Sequence, residues 1–385
     1  MLRFLTAGES HGESLLAIIE GLPAGLEISA RVIDEELGRR QKGYGRGKRM
    51  EIESDRVELM AGVRGGRTLG SPVALRIRNR DWENWKEAMA PEGRGGEDRA
   101  VTSPRPGHAD LAGGIKYGHK DLRNVLERAS ARETAARVAV GSVAKILLGK
   151  FGITVAGHVL SIGGTQRPNV EFAQPQQASL AERSPVRCID KKAEGQMVDR
   201  IEKARGEGET LGGVFEVRAF NVPVGLGSYA HWDRRLDADL ASAVMSIPAI
   251  KGVQIGLGFQ GADLPGSQVH DEIFHDRTKG FFRKTNRAGG VEGGVSNGET
   301  ITVQAAMKPI PTLMSPLASV HFLSKRRVEA AVERSDVTAV PAAVVIAESM
   351  VAFVLARLMR EKFGGDSIAE MQRNVEGYLD YVRRL

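Results

Sequence analysis

The chain has 385 residues, of which 42% are hydrophobic and 26% charged, a balance that is ordinary for a water-soluble globular protein. Aromatic residues make up only 5%, which argues against a broad platform for stacking nucleic-acid bases. The single cysteine, Cys188, excludes an intrachain disulfide and a cysteine-rich metal site, and it favours a reducing compartment.

The formal net charge of +6 has three possible meanings. It can reflect a solvated surface with excess Lys and Arg, a positive cleft that attracts an anionic ligand, or a face that binds nucleic acid. The densest basic segment is 39–49, where alternating glycines disfavour a helix and predict a loop. This segment fits a solvated basic arm as well as an anion-binding one.

Strand and helix signals alternate along the whole chain. Apolar runs and period-two alternation predict strands at 2–6, 50–53, 57–60, 72–77, 212–223, 253–259 and 301–307. Helical periodicity and alanine content predict helices at 33–39, 120–150, 194–206, 233–245 and 337–363. Because these signals interleave and no linker divides the chain, we expect one large α/β domain of the mixed α+β type over 1–385.

The sequence favours a cytoplasmic protein without a membrane partner. Its N-terminal residues lack the pattern of a secretory signal. The longest apolar stretch, 337–358, is interrupted by Pro341, Glu348 and Ser349, so we interpret it as a buried helix rather than a membrane span.

Two of the eight histidines lie in glycine-containing loops: His11 in Gly-Glu-Ser-His-Gly at 8–12, and His108 in Arg-Pro-Gly-His-Ala-Asp at 105–110. An isolated histidine is more often structural, but either one could exchange a proton near neutral pH. The spacing of His, Cys, Asp and Glu matches no common zinc or calcium motif, so we expect no metal. The glycines match neither a Walker loop nor a Rossmann fingerprint, so a phosphate-bearing cofactor would have to bind in another way.

Arginines inside the predicted helix at 120–150 give a stronger signal. Arg128 and Arg132 lie among alanines that we expect to be buried, and a buried arginine needs an anionic partner. Glu127, Glu133 or a ligand could be that partner.

Arg334-Ser335-Asp336 precedes the last long helix. Ser335 or Asp336 could simply cap that helix. Alternatively, Asp336 could be a base beside a cofactor.

Three separated motifs together resemble the chorismate synthase family. They are Gly-Glu-Ser-His-Gly at 8–12 continuing to Glu-Gly-Leu-Pro at 20–23, Glu-Arg-Ala-Ser-Ala-Arg-Glu-Thr at 127–134, and Arg-Ser-Asp at 334–336 followed by Glu-Ser at 348–349. The similarity continues through 39–47, 105–110 and 251–256, so it covers nearly the whole chain. Motifs in this order and at these separations are far more specific than a single five-residue match.

The resemblance implies a single β-α-β sandwich domain, a homotetramer, and conversion of 5-enolpyruvylshikimate 3-phosphate to chorismate and phosphate. This step of the shikimate pathway of aromatic amino-acid biosynthesis is an anti-1,4-elimination that requires reduced FMN yet has no net redox change. The small anionic substrate carries two carboxylates and a phosphate and therefore needs a positive pocket. The positions that match the family's substrate contacts are Ser10, His11, Arg40, Arg46, Arg49, Arg105, Arg132 and Arg334.

The resemblance also implies a set of FMN contacts. The matching positions are Arg128, Ala129, Ser130, Pro248, Ala249, Gly293, Lys308, Pro309, Ile310, Pro311, Thr312 and Arg334. Some relatives have serine in place of Ala129, so we expect only the backbone of that residue to contribute.

The resemblance further implies three catalytic residues. His11 would assist the departing phosphate, His108 would stabilise or protonate the reduced flavin, and Asp336 would help to deprotonate it at N5. If NADP is used, Arg40 and Arg46 would contact it. We otherwise expect NADPH as an indirect reductant that acts through a separate flavin reductase.

Two alternatives remain open at the level of sequence. An NADPH:FMN reductase would oxidise NADPH without the enolpyruvyl substrate. A nucleic-acid-binding protein that uses segment 39–49 would bind in a salt-sensitive manner and show no flavin spectrum. The low aromatic content and the arginines of the predicted helix favour the enzyme, so we expect no nucleic-acid partner.

Overall fold

The computed structural model describes residues 1–46, 54–92, 96, 99–278, 280–332 and 336–385. Its strands are β1 (Arg3–Ala7), β2 (Ser14–Glu20), β3 (Val57–Ala61), β4 (Val63–Arg64), β5 (Arg67–Thr68), β6 (Val73–Arg78), β7 (Thr154–Ile162), β8 (Gly213–Phe220), β9 (Ile250–Ile255), β10 (Ile273–Asp276), β11 (Gly280–Arg283), β12 (Val291–Glu292), β13 (Val295–Ser296), β14 (Ile301–Met307), β15 (Ala318–Val320) and β16 (Arg327–Glu329). Its α-helices are α1 (Ala30–Gln41), α2 (Asp110–Tyr117), α3 (Arg123–Ala129), α4 (Thr134–Gly149), α5 (Ala178–Arg183), α6 (Lys191–Gly206), α7 (Leu236–Met245), α8 (Gly266–Val269), α9 (Val340–Phe363) and α10 (Ile368–Arg383). The strand predicted at 50–53 lies outside the described residues.

Two four-stranded antiparallel sheets enclose a layer of helices. The first sheet has the strand order β1-β2-β6-β3, and the second has the order β7-β8-β14-β9. Helix α4 packs against β2 and β6, α9 packs against β7 and β8, and the two helices pack on each other. This β-α-β sandwich confirms the predicted fold of mixed α+β type. That 1–385 form a single domain stays a prediction.

Strand β2 illustrates how the first sheet faces the helices. Leu15, Ala17 and Ile19 are buried, whereas Leu16 and Ile18 point to the exposed face. This alternation follows from the two-residue repeat of a strand, and it places one face of the sheet in the core. A single hydrophobic cluster joins this face to α4, α9 and the second sheet.

The prediction of an uninterrupted helix at 120–150 is wrong. Helix α3 ends at Ala129, Ser130 has an extended backbone with φ −63° and ψ 142°, and a 3₁₀ turn at Ala131–Glu133 leads into α4. The Ser130 side chain accepts a hydrogen bond from the Arg132 N–H and so caps the turn. Alanine content predicted the helical segments but could not reveal this polar break, which gives Ser130 and Arg132 their positions.

Two mainly polar or charged segments also contribute to the core. In 165–190, Phe172 is only 1% exposed and packs with Ile189 and Phe220 in a small separate cluster. Helix α6, whose sequence is rich in charged residues, buries Met197 and Ile201 completely. A narrow apolar stripe is therefore enough to anchor a helix whose overall composition is strongly charged.

Helix α9 is long and apolar enough to cross a membrane, but 94% of its most apolar window is buried inside the protein. It therefore has the surroundings of a core helix, as the interrupted apolar stretch predicted.

Candidate active site

His11 lies in the loop between β1 and β2 and faces Glu127 of α3. Its side chain is 8% exposed, its Nδ1 lies 2.8 Å from Glu127 Oε1, and its backbone N–H donates to Oε2 at 2.8 Å. Burial alone would raise the pKa of Glu127, but the hydrogen bonds from His11 and the charge of Arg123 lower it. The ionised carboxylate therefore fixes the imidazole and leaves Nε2 as the nitrogen that faces away from this contact.

Ser10 is held beside His11 by two hydrogen bonds. Its backbone N–H donates to the Glu127 carbonyl at 3.0 Å, and the Ser130 hydroxyl donates to its Oγ at 3.1 Å. Gly8 begins the same loop with φ 107°, and a Cβ there would lie 2.4 Å from the Ser14 carbonyl oxygen. Only glycine fits this position without a shift of the backbone, which agrees with a turn-forming role for Gly8.

Arg40 and Arg132 converge on the buried carboxylate of Asp55. Arg132 Nη1 lies 2.6 Å from Asp55 Oδ1, and Arg40 Nη1 lies 3.5 Å from Oδ2. Arg40 also donates through Nε to Thr134 Oγ1 at 3.1 Å. One carboxylate therefore holds two guanidinium groups in place, and the three side chains together keep a net positive charge.

Among the described residues, the carboxylate that pairs with Arg132 is Asp55 rather than Glu127 or Glu133, the two candidates suggested by the sequence. The Glu127 carboxylate contacts the His11 imidazole, while Glu133 pairs with Arg137 at 3.0 Å. Besides Asp55, Arg132 donates through Nε to Asn79 Oδ1 at 2.9 Å. Helical neighbours were the wrong candidates because the break at Ser130 turns Arg132 toward the first sheet.

Arg46 and Asp336 also come together, with 3.2 Å between Nη1 and Oδ2. Helix α9 has Ala339 as its N-cap, so Asp336 does not cap it. Arg46 and Arg40 line a small pocket whose other walls are mainly apolar, formed by Ala131, Thr134, Ile247, Pro248, Met307, Ala339, Ala342, Ala343 and Ile346. The predicted substrate contacts Arg49 and Arg334 lie outside the described residues.

A second imidazole–carboxylate pair is centred on Asp110, whose side chain is fully buried. Its Oδ2 lies 2.8 Å from Arg105 Nε, and its Oδ1 lies 2.5 Å from His108 Nδ1. Burial would raise the pKa of Asp110, yet hydrogen bonds from His108 and Arg105 hold that pKa well below its usual range. His108 is therefore oriented by an ionised carboxylate, as His11 is.

The segment 308–312 lies between two of the other predicted regions. Thr312 Oγ1 accepts a hydrogen bond from Arg105 Nη1 at 3.1 Å, and the Lys308 ammonium group donates to the Gly107 carbonyl. The Lys308 backbone N–H donates to the Ala249 carbonyl at 2.9 Å. Lys308 and Thr312 are thereby joined to Ala249 on one side and to the loop of His108 on the other.

Arg128 and Gly293, two of the predicted cofactor contacts, take part in hydrogen bonds between a side chain and the backbone. Arg128, expected to be buried, is exposed and donates to the backbone carbonyls of Gly8 and Thr6 at 3.1 Å. Gly293 lies in the turn between β12 and β13, where its carbonyl accepts a hydrogen bond from Arg235 at 3.4 Å. Ala129 ends helix α3, next to Ser130.

Known proteins resemble this chain over its full length. A sequence model of the family described as chorismate synthase matches residues 2–359. The chain belongs to the chorismate synthase family. It is 61% identical to the chorismate synthase of Desulforudis audaxviator, over 100% of this chain and 98% of that protein. It is 58% identical to the Geobacter metallireducens enzyme, over the full length of both chains.

A solved structure supports the fold as well as the family. The protein titled "Crystal Structure of Chorismate Synthase" superposes with a TM-score of 0.82 at 46% identity, covering 100% of this chain and 99% of that one. The protein is therefore an enzyme, a lyase of the chorismate synthase family. The recognition made from three sequence motifs is confirmed.

Membership in the chorismate synthase family implies a reduced flavin, and the residues present fit such a group. Ala249 has φ 68°, a left-handed conformation that is rare outside glycine and tends to occur at ligand sites. A Cβ on Gly107, which has φ 78°, would lie 3.2 Å from the Lys308 ammonium nitrogen. The open backbone and the neighbouring cations Lys308 and Arg105 suit an anionic, planar cofactor.

Several residues of this chorismate synthase site were missed by sequence reasoning. Asp55, Asn79, Asp110 and Trp85 contact predicted residues, but each comes from a polar or irregular segment without periodicity. Asp110 could have been predicted from the sequence, because it lies two positions after His108 in the same motif. The other three contact residues that are distant in sequence, so no local spacing could have identified them.

Proposed function

We propose that the protein eliminates phosphate and the C6 hydrogen from 5-enolpyruvylshikimate 3-phosphate to form chorismate, the last common step of the shikimate pathway. The observation that carries this proposal is the convergence of Ser10, His11, Arg40 and Arg132 around the break between α3 and α4. Preorganised hydroxyl, imidazole and guanidinium donors can stabilise a departing phosphate without the cost of reorganising water.

The imidazole of His11 supplies a proton donor for that phosphate. Because Glu127 binds Nδ1, the proton exchanged with the leaving group would be carried on Nε2. The ionised carboxylate of Glu127 lies against Nδ1, and the low exposure of both side chains strengthens this interaction. Such a general acid contributes roughly 10²–10⁴-fold to a rate.

The flavin would bind beside the imidazole–carboxylate pair of His108 and Asp110. Reduced FMN, when bound, supplies electron density transiently as the phosphate departs, with no net redox change. The residues that would hold it are Ser130, Pro248, Ala249 and the segment Lys308–Thr312, with contributions proposed for Arg128, Ala129, Gly293 and Arg334.

His108, oriented by Asp110, would hold a proton at Nε2 and favour the reduced state of the cofactor. Asp336, beside Arg46, would accept a proton on its carboxylate. Arg46 and Arg105, with Arg49 and Arg334 from outside the described residues, would complete the positive pocket for the substrate carboxylates.

The assembly and the supply of electrons are part of the same proposal. We expect a cytoplasmic homotetramer that obtains its reduced FMN from a separate flavin reductase, with NADPH as the indirect reductant. Direct NADP binding, if it occurs, would involve Arg40 and Arg46.

The decisive experiment is anaerobic. Purified protein is mixed with photoreduced FMN and 5-enolpyruvylshikimate 3-phosphate, while phosphate release and the absorbance of chorismate are followed together. Equal amounts of both products support the proposal, and no turnover with verified reduced flavin refutes it. A parallel sample with NADPH, oxidised FMN and no substrate separates an NADPH:FMN reductase from a protein that depends on an external one.

A further inference from the structure

Trp85 lies directly on the imidazole of His11. The two ring centroids are 3.9 Å apart and the ring planes differ by 24°, which is a stacked arrangement. His11 thus has a carboxylate at its edge and an indole on its face. The segment that carries Trp85 matches none of the motifs that identified the family.

Hydrogen bonds of the segment 79–85 fix the position of Trp85. Asn79, at the start of the segment, donates through its side chain to the carbonyls of Glu9 and Gly12, which flank Ser10 and His11. A 3₁₀ turn follows at Arg80–Asn84, and the indole N–H donates to Asp81 Oδ2 at 3.0 Å. The indole is therefore tied to the loop that it covers.

Charged groups surround the stacked pair. The guanidinium carbons of Arg99 and Arg123 lie 4.1 Å and 4.9 Å from the Trp85 ring centroid. Arg123 also lies 3.3 Å from Glu127 Oε1, the atom that binds His11. An electron-rich indole face favours these cations and an imidazolium alike, and it excludes water from the ring it covers.

We propose that Trp85 is a positioning residue for His11, holding the imidazole so that Nε2 points to the phosphate of the substrate. This inference rests on the proposed function, because it assigns His11 the proton transfer. The hydrogen bond to Glu127 holds the Nδ1 edge of the ring but only weakly resists a tilt of the ring plane about that edge. Stacking on Trp85 supplies the restraint against that tilt.

A double-mutant cycle tests the coupling. Trp85→Ala, Trp85→Phe and Trp82→Ala are made in the native chain, and Trp85→Ala is repeated with His11→Ala. We expect Trp85→Ala to lower kcat by roughly 10–100-fold with a much smaller change in KM, because a displaced catalytic group acts mainly on the chemical step. Trp85→Phe should recover most of the rate, and Trp82→Ala should stay near the native rate.

In the His11→Ala background, Trp85→Ala should change kcat by less than about two-fold, because the group it positions is gone. An equal loss of rate in both backgrounds would overturn the inference, as would a Trp85→Phe variant as slow as Trp85→Ala. A loss in Trp82→Ala equal to that in Trp85→Ala would also overturn it, because general packing of the segment would then explain the effect.

A spectroscopic measurement tests the stacking of Trp85 on His11 independently of the proposed activity. Replacing Trp82 and Trp232 by Phe leaves Trp85 as the only tryptophan. The emission of an indole depends on the groups in contact with its ring, so His11→Ala should change the emission intensity or wavelength of this single-tryptophan protein. Unchanged emission would overturn the stacking itself, whereas changed emission in a protein without turnover would locate the failure in the proposed function.

Discussion

Asp55 Oδ1 lies 2.6 Å from Arg132 Nη1, and the two side chains are only 2% and 4% exposed. A carboxylate reduces the positive charge of the site that we propose to bind an anion. Its contribution must therefore be positional, because two guanidinium groups at this depth would repel one another without it. The same pair gives the first prediction.

Replacing Asp55 by Asn should lower the free energy of unfolding by about 2–4 kcal/mol, because it removes a buried negative charge that faces two guanidinium groups. Urea denaturation would measure the loss. Added inorganic phosphate should restore part of it, since an anion bound only by the folded protein shifts the equilibrium toward folding. The matched control is Glu20→Gln, which removes a carboxylate from an exposed pair with Arg3 and should have little effect. Equal losses in the two variants would contradict this account.

Glu127→Gln tests the charge behind His11. The amide keeps the shape of the side chain and can still accept from the His11 backbone N–H, but it no longer places a negative charge beside the imidazole. We expect kcat to fall at least roughly 10-fold with a smaller change in KM, as for the loss of a group that supports a general acid. Steady-state kinetics with reduced FMN measure this. If the variant has native kcat, His11 does not transfer the proton.

The sequence predicted some parts of this protein far better than others. Local signals were sufficient for strand β14, predicted at 301–307 and found at Ile301–Met307, and for α9, whose apolar content is unambiguous. Motifs placed His11 and Asp336 near the site, although physical periodicity alone could not have done so. Asp55 and Trp85 were not predicted as site residues because their contacts are long-range. The local spacing of residues in the sequence carries no information about such contacts.

Glu348 gives the protein a predictable response to acid. Its fully buried carboxylate accepts hydrogen bonds from Arg39 at 2.8 Å, Lys145 at 2.6 Å and the Gly157 N–H at 2.9 Å. Burial would raise the pKa of Glu348, but the charges of Arg39 and Lys145 lower it below its ordinary value of 4.5. A carboxyl group whose pKa is lower in the folded state stabilises the fold above the unfolded value. That stabilisation is lost as the pH falls from about 4.5 through the folded pKa.

Glu348→Gln should therefore lower stability at pH 7 by roughly 3–5 kcal/mol and flatten the dependence of stability on pH below about 5. Urea titrations between neutral pH and pH 3 would measure both effects. Glu202→Gln, in an exposed pair with Arg205, should leave the acid response unchanged. A native acid response in Glu348→Gln would assign that response to other carboxylates.

Helices α4 and α9 approach each other closely at Gly141 and Ser349. A Cβ on Gly141 would lie 2.2 Å from Ser349 Cβ and 2.5 Å from its Cα, a separation that real atoms do not reach. Gly141→Ala should therefore destabilise the protein by about 1–3 kcal/mol or more, because the central helices must move apart. Gly149→Ala, on the same helix, meets nothing within 4 Å and should be neutral or stabilise by up to about 1 kcal/mol. Thermal denaturation of the two variants side by side measures the difference, and a Gly141→Ala protein as stable as Gly149→Ala would mean that the helices are farther apart than the structure places them.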